Sequence, residues 1–297
     1  MLDFHLFLPQ MRMSLDQIVE RSRAAEQAGF GGVALIDHLS PPGAEHMPMY
    51  DAMLTAGWIA AATSTLRVGH LVLCDAFRHP AVLARQAVTL DHASGGRFEL
   101  GIGWGSVPEE FEVYGVGETA ARVRVARLAE TLDVLKLLWS GETVDYAGEF
   151  HTIRGGIHQP TPLGRIPILI GGAGPKTLRL VADHADWWNC PVYALDDFDR
   201  LRGATGAARP SLQEMLAFAP EGSDAEPIFE QARRRFAAMG GVRTGTGETL
   251  REHFGELAER GVERIYAWFS DFATPETLAA FGHEVIEPLR ELAAPGR

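Results

Sequence analysis

The sequence predicts an α/β fold, a single (β/α)8 TIM barrel filling residues 1–297 with an insertion near residues 190–240. Three observations carry that prediction. Leu66 to Phe111 reads as a buried strand, a helix and a second buried strand, the crossover unit from which parallel sheets are built. The same alternation of strand and helix can be traced eight times along the chain. A length of 297 residues with 46% apolar content has room for one such barrel or for two ordinary domains, and the order of elements favours the barrel.

Strands are expected near residues 3–8, 31–36, 66–73, 97–102, 166–171, 186–190, 214–219 and 263–269. Helices are expected near 15–29, 50–63, 79–93, 118–139, 174–184, 225–239, 247–260 and 275–292. Arg67 to Leu73 is a short apolar run with β-branched residues. The next stretch starts at Pro80, keeps its apolar residues at helical spacing, and stops at Ser94-Gly95-Gly96. Phe98 to Gly103 is a second buried run leading into Gly105. Residues 142–151 alternate and turn at Ala147-Gly148, as a small hairpin does. Gly171-Gly172-Ala173-Gly174-Pro175 comes straight off an apolar strand and opens a helix, with Pro175 tolerated in the first turn. Trp187 and Trp188 adjoin strand six and should face opposite sides of the sheet. The Gly- and Ala-rich stretch 202–210 reads as a connection inside the insertion, not as a domain boundary.

Composition narrows the function. Acidic residues outnumber basic ones by 39 to 27, a net charge of −12, which argues against nucleic acid or an anionic membrane as the main partner. Two cysteines, Cys74 and Cys190, cannot form a disulfide framework, and the first ten residues lack the pattern of a signal peptide. No stretch approaches the roughly 20 apolar residues of a membrane span. A cytoplasmic enzyme acting on a small molecule is the expectation.

In a barrel of this kind chemistry sits at the C-terminal ends of the strands. Asp37 and His38 follow strand two, Cys74 and Asp75 strand three, Trp104 to Ser106 strand four, and Gly171 to Gly174 strand five, so these distant segments should share one rim. An imidazole with an ordinary pKa of about 6.5 can give or take a proton near neutrality, although a loop-capping role for His38 is open on position alone. Asp37 is expected to fix the His38 tautomer, to bond a cofactor hydroxyl, or to cap a turn. The 171–174 turn leaves free N–H groups suited to a phosphate, or is a plain tight turn. Trp104 is a stacking platform, a pocket wall or core filler; Glu109 and Glu110 are read as acids serving a helix dipole. Cys74 is expected to line the pocket as an inert thiol. Arg233-Arg234-Arg235 is read as a solvated helix face. Of three Asp-His pairs, 91–92 and 183–184 fall at helix ends on the opposite rim, so no metal site is expected.

One set of motifs goes further. Arg78-His79-Pro80, Thr89-Leu90-Asp91, Ser94-Gly95-Gly96-Arg97, Leu100-Gly101-Ile102-Gly103 and Glu110-Phe111 stand in the order found in the luciferase-like monooxygenase superfamily, which this chain resembles over most of its length. The resemblance implies a barrel of the bacterial-luciferase type and a flavin or deazaflavin (F420) cofactor at its mouth. The Asp37-His38 pair, frequent in the F420 branch, tilts the expectation to F420, with FMN as the alternative. It also implies that Asp37, His38, Leu71, Val72, Cys74, Gly103, Trp104, Gly105, Gly171, Gly172, Ala173 and Gly174 contact the cofactor, and that the Leu71-Val72 position holds the non-prolyl cis bulge of many relatives. The expected activity is hydride transfer between F420 and a small organic substrate, with His38 exchanging the proton and Asp37 assisting. Under the FMN alternative, a separate reductase would supply reduced flavin for an oxygenation. A non-catalytic cofactor-binding barrel is the rival of another class. Homodimers formed through barrel helices are expected from the resemblance. After strand four, relatives often show Gly-Trp-Asn where this chain has Trp104-Gly105-Ser106. Residues 40–50 and 190–240 carry no legible substrate motif.

Overall fold

The structure, a computed structural model, describes residues 2–118 and 120–293. The first half runs β1 (Asp3–Phe7), α1 (Leu15–Gln27), β2 (Gly32–Leu35), α2 (Ala52–Ala62), β3 (Arg67–His70), β4 (Leu73–Cys74), α3 (Pro80–Ser94), β5 (Leu100–Gly103), α4 (Pro108–Tyr114) and α5 (Ala121–Trp139). A hairpin of β6 (Val144–Ala147) and β7 (Thr152–Gly156) precedes β8 (Ile168–Gly171), α6 (Pro175–His184), β9 (Trp187–Cys190) and α7 (Phe198–Arg202). The chain continues with β10 (Arg209–Ala219), α8 (Ala225–Phe236), β11 (Arg243–Thr246), α9 (Gly247–Glu259), β12 (Arg264–Phe269), α10 (Pro275–Phe281) and α11 (Glu287–Ala293).

Parallel pairing in the order β3-β2-β1-β12-β10-β9-β8-β5-β4 makes a nearly closed barrel of nine strands. Eight strand paths were expected, and the ninth arises because strand three is broken in two: β3 pairs with β2, and β4 pairs with β5. Between the halves lies the Leu71–Val72 peptide, which is cis. A bridge from Val68 to Phe98 closes the ring below the break.

Glycine makes this seam possible. A Cβ on Gly101 would overlap the His70 carbonyl oxygen, and one on Gly69 would stand 2.9 Å from that of Glu99. On Gly103 it would meet Val72 Cγ2 at 2.8 Å. Gly69 and Gly101 are therefore there to let backbone approach backbone, and Gly103 to make room for the Val72 side chain, not to supply a turn.

The other motifs have local causes too. His79 caps α3 through its Nδ1, which accepts from Ala81 N at 3.2 Å, and Pro80 takes the first helical position. Gly95 ends the same helix at φ +66°. Arg97 then donates to the carbonyl oxygens of Ala60 (2.7 Å), Thr63 (3.0 Å) and Leu66 (2.6 Å), tying the next strand to the end of α2.

One apolar layer lies between strands and helices, and a smaller cluster of Phe7, Ala34, Leu169, Trp187 and Tyr266 fills the barrel interior. Trp187 joins the interior and Trp188 the outer layer, as the strand period requires. At the N-terminal end of the barrel, buried Arg264 donates to Glu99 (2.6 Å) and Asp3 (3.1 Å).

Three differences from the expected elements bear on the site. A short helix, α4, stands alone between β5 and α5, so Glu109 and Glu110 have their own element. The 190–240 segment carries little beyond barrel: a 3₁₀ turn at Val192–Asp197 and α7, followed by β10 and α8. Finally, β10 begins at Arg209, five residues before the expected strand, and β11 is a strand the sequence reading did not contain.

Candidate active site

A cavity of about 760 Å³ opens at the C-terminal end of the barrel. Its wall includes Asp37 and His38 after β2, Leu71, Val72 and Cys74 on strand three, Gly103, Trp104 and Gly105 after β5, and Gly171, Gly172, Ala173 and Gly174 after β8. All twelve residues singled out in the sequence therefore meet around one space. Glu110, Thr177, Asn189, Gln213, Met215 and Trp268 line it as well, and none of these six was anticipated there.

His38 is held by a residue 72 positions away. Its Nδ1 lies 2.8 Å from Glu110 Oε2, while Glu110 Oε1 accepts from the backbone of Leu39 at 2.7 Å and Ser40 at 3.4 Å. Burial pushes the Glu110 carboxyl up, but the His38 bond and charge and the two backbone donors outweigh it, leaving the pKa below the usual value. An ionised carboxylate only accepts, so Nδ1 carries the hydrogen. Nε2, which has no protein hydrogen bond among the described residues, is left for the cavity. This corrects the reading of Glu110 as a helix-dipole acid: α4 turns it inward, where it is buried beside Phe111.

Asp37, expected to set the His38 tautomer, bonds other groups. It forms a two-pronged ion pair with Arg78, with Oδ1 accepting from Nη2 at 3.0 Å, and Oδ2 also accepts from Cys74 N at 2.9 Å. Both oxygens are engaged, and the carboxylate fastens the end of strand two to strand three. Gln10, fully buried, does the same from the other side: its amide donates to the carbonyls of Ile36 and Tyr50, and its oxygen accepts from Ile36 N at 3.2 Å. Nothing near Gln10 in the sequence pointed to this clamp.

The 171–174 turn is fixed by its neighbours. Trp188 Nε1 donates to the Gly172 carbonyl at 2.8 Å, and Gly172 N donates to that of Asn189 at 3.2 Å. Gly172 sits at φ +135°, and Gly174 is the N-cap of α6 with no side chain over the free helix end. Thr177, in the first turn, faces the cavity, whereas Lys176 is exposed.

Trp104 lines the cavity and packs on Arg124, whose guanidinium lies 5.0 Å from the indole and 4.6 Å from the Phe111 ring. Burial pushes the Cys74 thiol up to about 12, so it is an uncharged wall group at neutral pH. Arg233 and Arg234 pair with Glu226 and Glu230 on the exposed face of α8. Arg235 departs from the expected solvated run: it lies over the Phe272 ring at 3.5 Å and donates to Ser270 O. Asp91 and His92 serve the far end of the barrel, Asp91 accepting from Leu163 N and His92 Nε2 standing against Thr161 O, each at 2.8 Å. Among the described residues, no three His, Cys, Asp or Glu side chains are grouped for a metal, and no helix is long and apolar enough to cross a membrane.

Comparison with known proteins bears on the family and the fold. The model of the luciferase-like monooxygenase family matches residues 2–209. An F420-dependent glucose-6-phosphate dehydrogenase of Rhodococcus erythropolis is 34% identical over 178 residues, 59% of this chain and 52% of that protein. The chain thus spans about half the length of the curated relatives it matches. Among solved structures, an EDTA monooxygenase from Chelativorans sp. BNC1 superposes with a TM-score of 0.85 at 13% identity, covering 99% of this chain and 95% of that one. An F420-dependent secondary alcohol dehydrogenase superposes at 0.80 with 17% identity, covering 97% and 98%.

Proposed function

The chain belongs to the luciferase-like monooxygenase family, and from that premise we propose that it is an F420-dependent oxidoreductase transferring a hydride to or from a small organic substrate. The observation that carries the reading is the Glu110–His38 pair, which leaves one imidazole nitrogen open beside a cavity whose other wall is the 171–174 turn. The F420 dependence of the curated relatives supports the choice of cofactor.

The residues present fit such a group. A phosphodiester suits the bare N-terminus of α6, where Gly174 leaves the helix end open and Thr177 adds a hydroxyl. A flat ring suits the space between Leu71, Val72 and Trp104. When bound, the deazaflavin supplies or accepts the hydride. His38 Nε2 then takes the proton of a substrate hydroxyl in oxidation, or returns it in reduction. Glu110 fixes the ring that does so. Asp37 is a positioning residue, holding the strand-two end through Arg78 and Cys74.

Titrating the apo-protein with F420 and with FMN, followed by cofactor fluorescence, tests the reading: saturable F420 binding is expected. Tight FMN binding without an F420 response would overturn it in favour of a flavin oxygenase. His38→Ala should keep F420 binding and lose turnover; an unchanged rate would remove His38 from the proton transfer, and wild-type F420 binding with no turnover of any alcohol or carbonyl compound would favour a binding barrel without catalysis.

A homodimer is part of the proposal. Leu54 (78% exposed) and Trp58 (57%) stand one turn apart on α2, with Val82 exposed on the adjoining α3, an apolar patch a partner would cover. Sedimentation of Trp58→Asp should show a shift toward monomer.

A further inference from the structure

Resting on that function, we infer that the substrate is an uncharged, mainly apolar alcohol or carbonyl compound, and that its body lies in a side chamber built by residues 192–243. The chamber has a structural cause. Strand β10 pairs with β9 only as far as Leu212, and β11 joins it only from Leu216. Between those points the edge of β10 facing them is unpaired, and a second space of about 290 Å³ occupies the wedge. It shares Val192, Gln213 and Met215 with the main cavity, so the two adjoin along β10. Leu195, Leu212 and Val242 complete its apolar wall.

Charge decides what can be held there. The carboxylate and imidazole side chains lining the main cavity are Asp37, His38 and Glu110, with no lysine or arginine among its described wall residues. Nearby cations stand outside that wall: Arg78 is paired with Asp37, Arg235 lies over the Phe272 ring and donates to Ser270 O, and Arg124 is buried over the rings of Trp104 and Phe111 with Nε and Nη1 unpartnered. In the side chamber the one cation, exposed Arg243, shares the wall with Glu214, whose carboxylate lies 2.9 Å from His253 Nε2. A phosphorylated sugar brings a dianion that needs charge-assisted partners, and with the cofactor phosphate at the α6 N-terminus the main cavity wall offers no lysine or arginine for it. An alcohol needs one polar partner beside the reacting carbon, which His38 Nε2 provides. In oxidation its carbinol C–H leaves as hydride to oxidised F420, its O–H proton passes to Nε2, and a C=O remains; reduction runs the same bonds backwards.

The test is to titrate cyclohexanone, cyclohexanol and glucose 6-phosphate into both apo and F420-loaded protein, following the fluorescence of cavity residues Trp104 and Trp268. Saturable quenching by the neutral pair is expected, with none by the sugar phosphate at equal concentration. Leu195→Asp should weaken cyclohexanone roughly tenfold, since a solvated charge replaces an apolar contact. Val242→Asp repeats that test on the β11 side should the first variant not fold, and F420 titration of each variant reports whether the main cavity is intact. Saturable binding of glucose 6-phosphate, or no response to the neutral pair, overturns the inference. Loss of F420 binding by the wild-type protein overturns the function instead, while the apo titration still measures the preference of the chamber.

Discussion

Replacing Glu110 with glutamine changes one atom and should reverse the chemistry of His38. The two backbone donors, Leu39 N and Ser40 N, both bond Oε1 and cannot be left without an acceptor, so the glutamine oxygen must stay with them. That places the new NH2 where Oε2 was, 2.8 Å from His38 Nδ1. An amide nitrogen donates, so Nδ1 must now accept, and the ring's hydrogen moves to Nε2. The lone pair that takes the substrate proton is lost. Positioned acid–base groups contribute on the order of 10²–10⁴ in rate, so turnover should fall by about a hundredfold or more. Exchanging a charged for a neutral acceptor also costs about 1 kcal/mol of stability. Steady-state kinetics, with F420 affinity measured separately, should show the loss in kcat with affinity kept. A rate within about threefold of wild type, with an unchanged pH profile, would refute the assignment of Glu110 as the residue that orients His38.

Asp75, immediately after β4, is buried with Oδ2 3.8 Å from Arg127 Nε and Oδ1 unpartnered, and burial pushes its carboxyl up to about 6 against the pull of Arg127 and Thr131. The folded state thus holds a proton that the unfolded state has released, so stability falls as pH rises from about 4 to about 6, by roughly 3 kcal/mol at most. Denaturation curves should show that slope, and Asp75→Asn should flatten it and raise stability at pH 8. Gly101→Ala drives a methyl group into the His70 carbonyl at the seam of the barrel, and should cost about 3 kcal/mol or prevent folding, read as a drop in Tm. Trp188→Phe removes the donor to Gly172 O and leaves a small cavity in the core, so F420 affinity should fall roughly fivefold and the urea midpoint should drop by an amount equivalent to about 1–3 kcal/mol.

Much of the barrel was legible because local signals and global position coincide in it. The run from Arg78 to Gly103 carries its own punctuation: a capping histidine, a first-turn proline, a left-handed glycine and an arginine that closes on four carbonyls. The rim residues could be gathered from strand order alone, since every strand end in a parallel barrel points the same way. What escaped depends on long-range contact. Glu110 looks like any acid in a first helical turn until the fold sets it against His38. Asp37 adjoins His38 in sequence yet bonds Arg78, because Arg78 enters from the strand-three loop. Gln10 has no pattern at all. The early start of β10 was hidden by Gly203–Pro210, which reads as loose connection, although Pro210 and Ser211 are buried in the sheet.

The parting of β9 from β10 has a consequence for how such an enzyme acquires new chemistry. At Gly101 the seam of the barrel sets main chain against main chain, and no side chain can be placed there. Around Leu195 and Val242 the wall is made of side chains in a gap between strands. Substitutions at the seam would therefore be lost to misfolding, and a library confined to the wedge would sample new selectivity on an unaltered chassis.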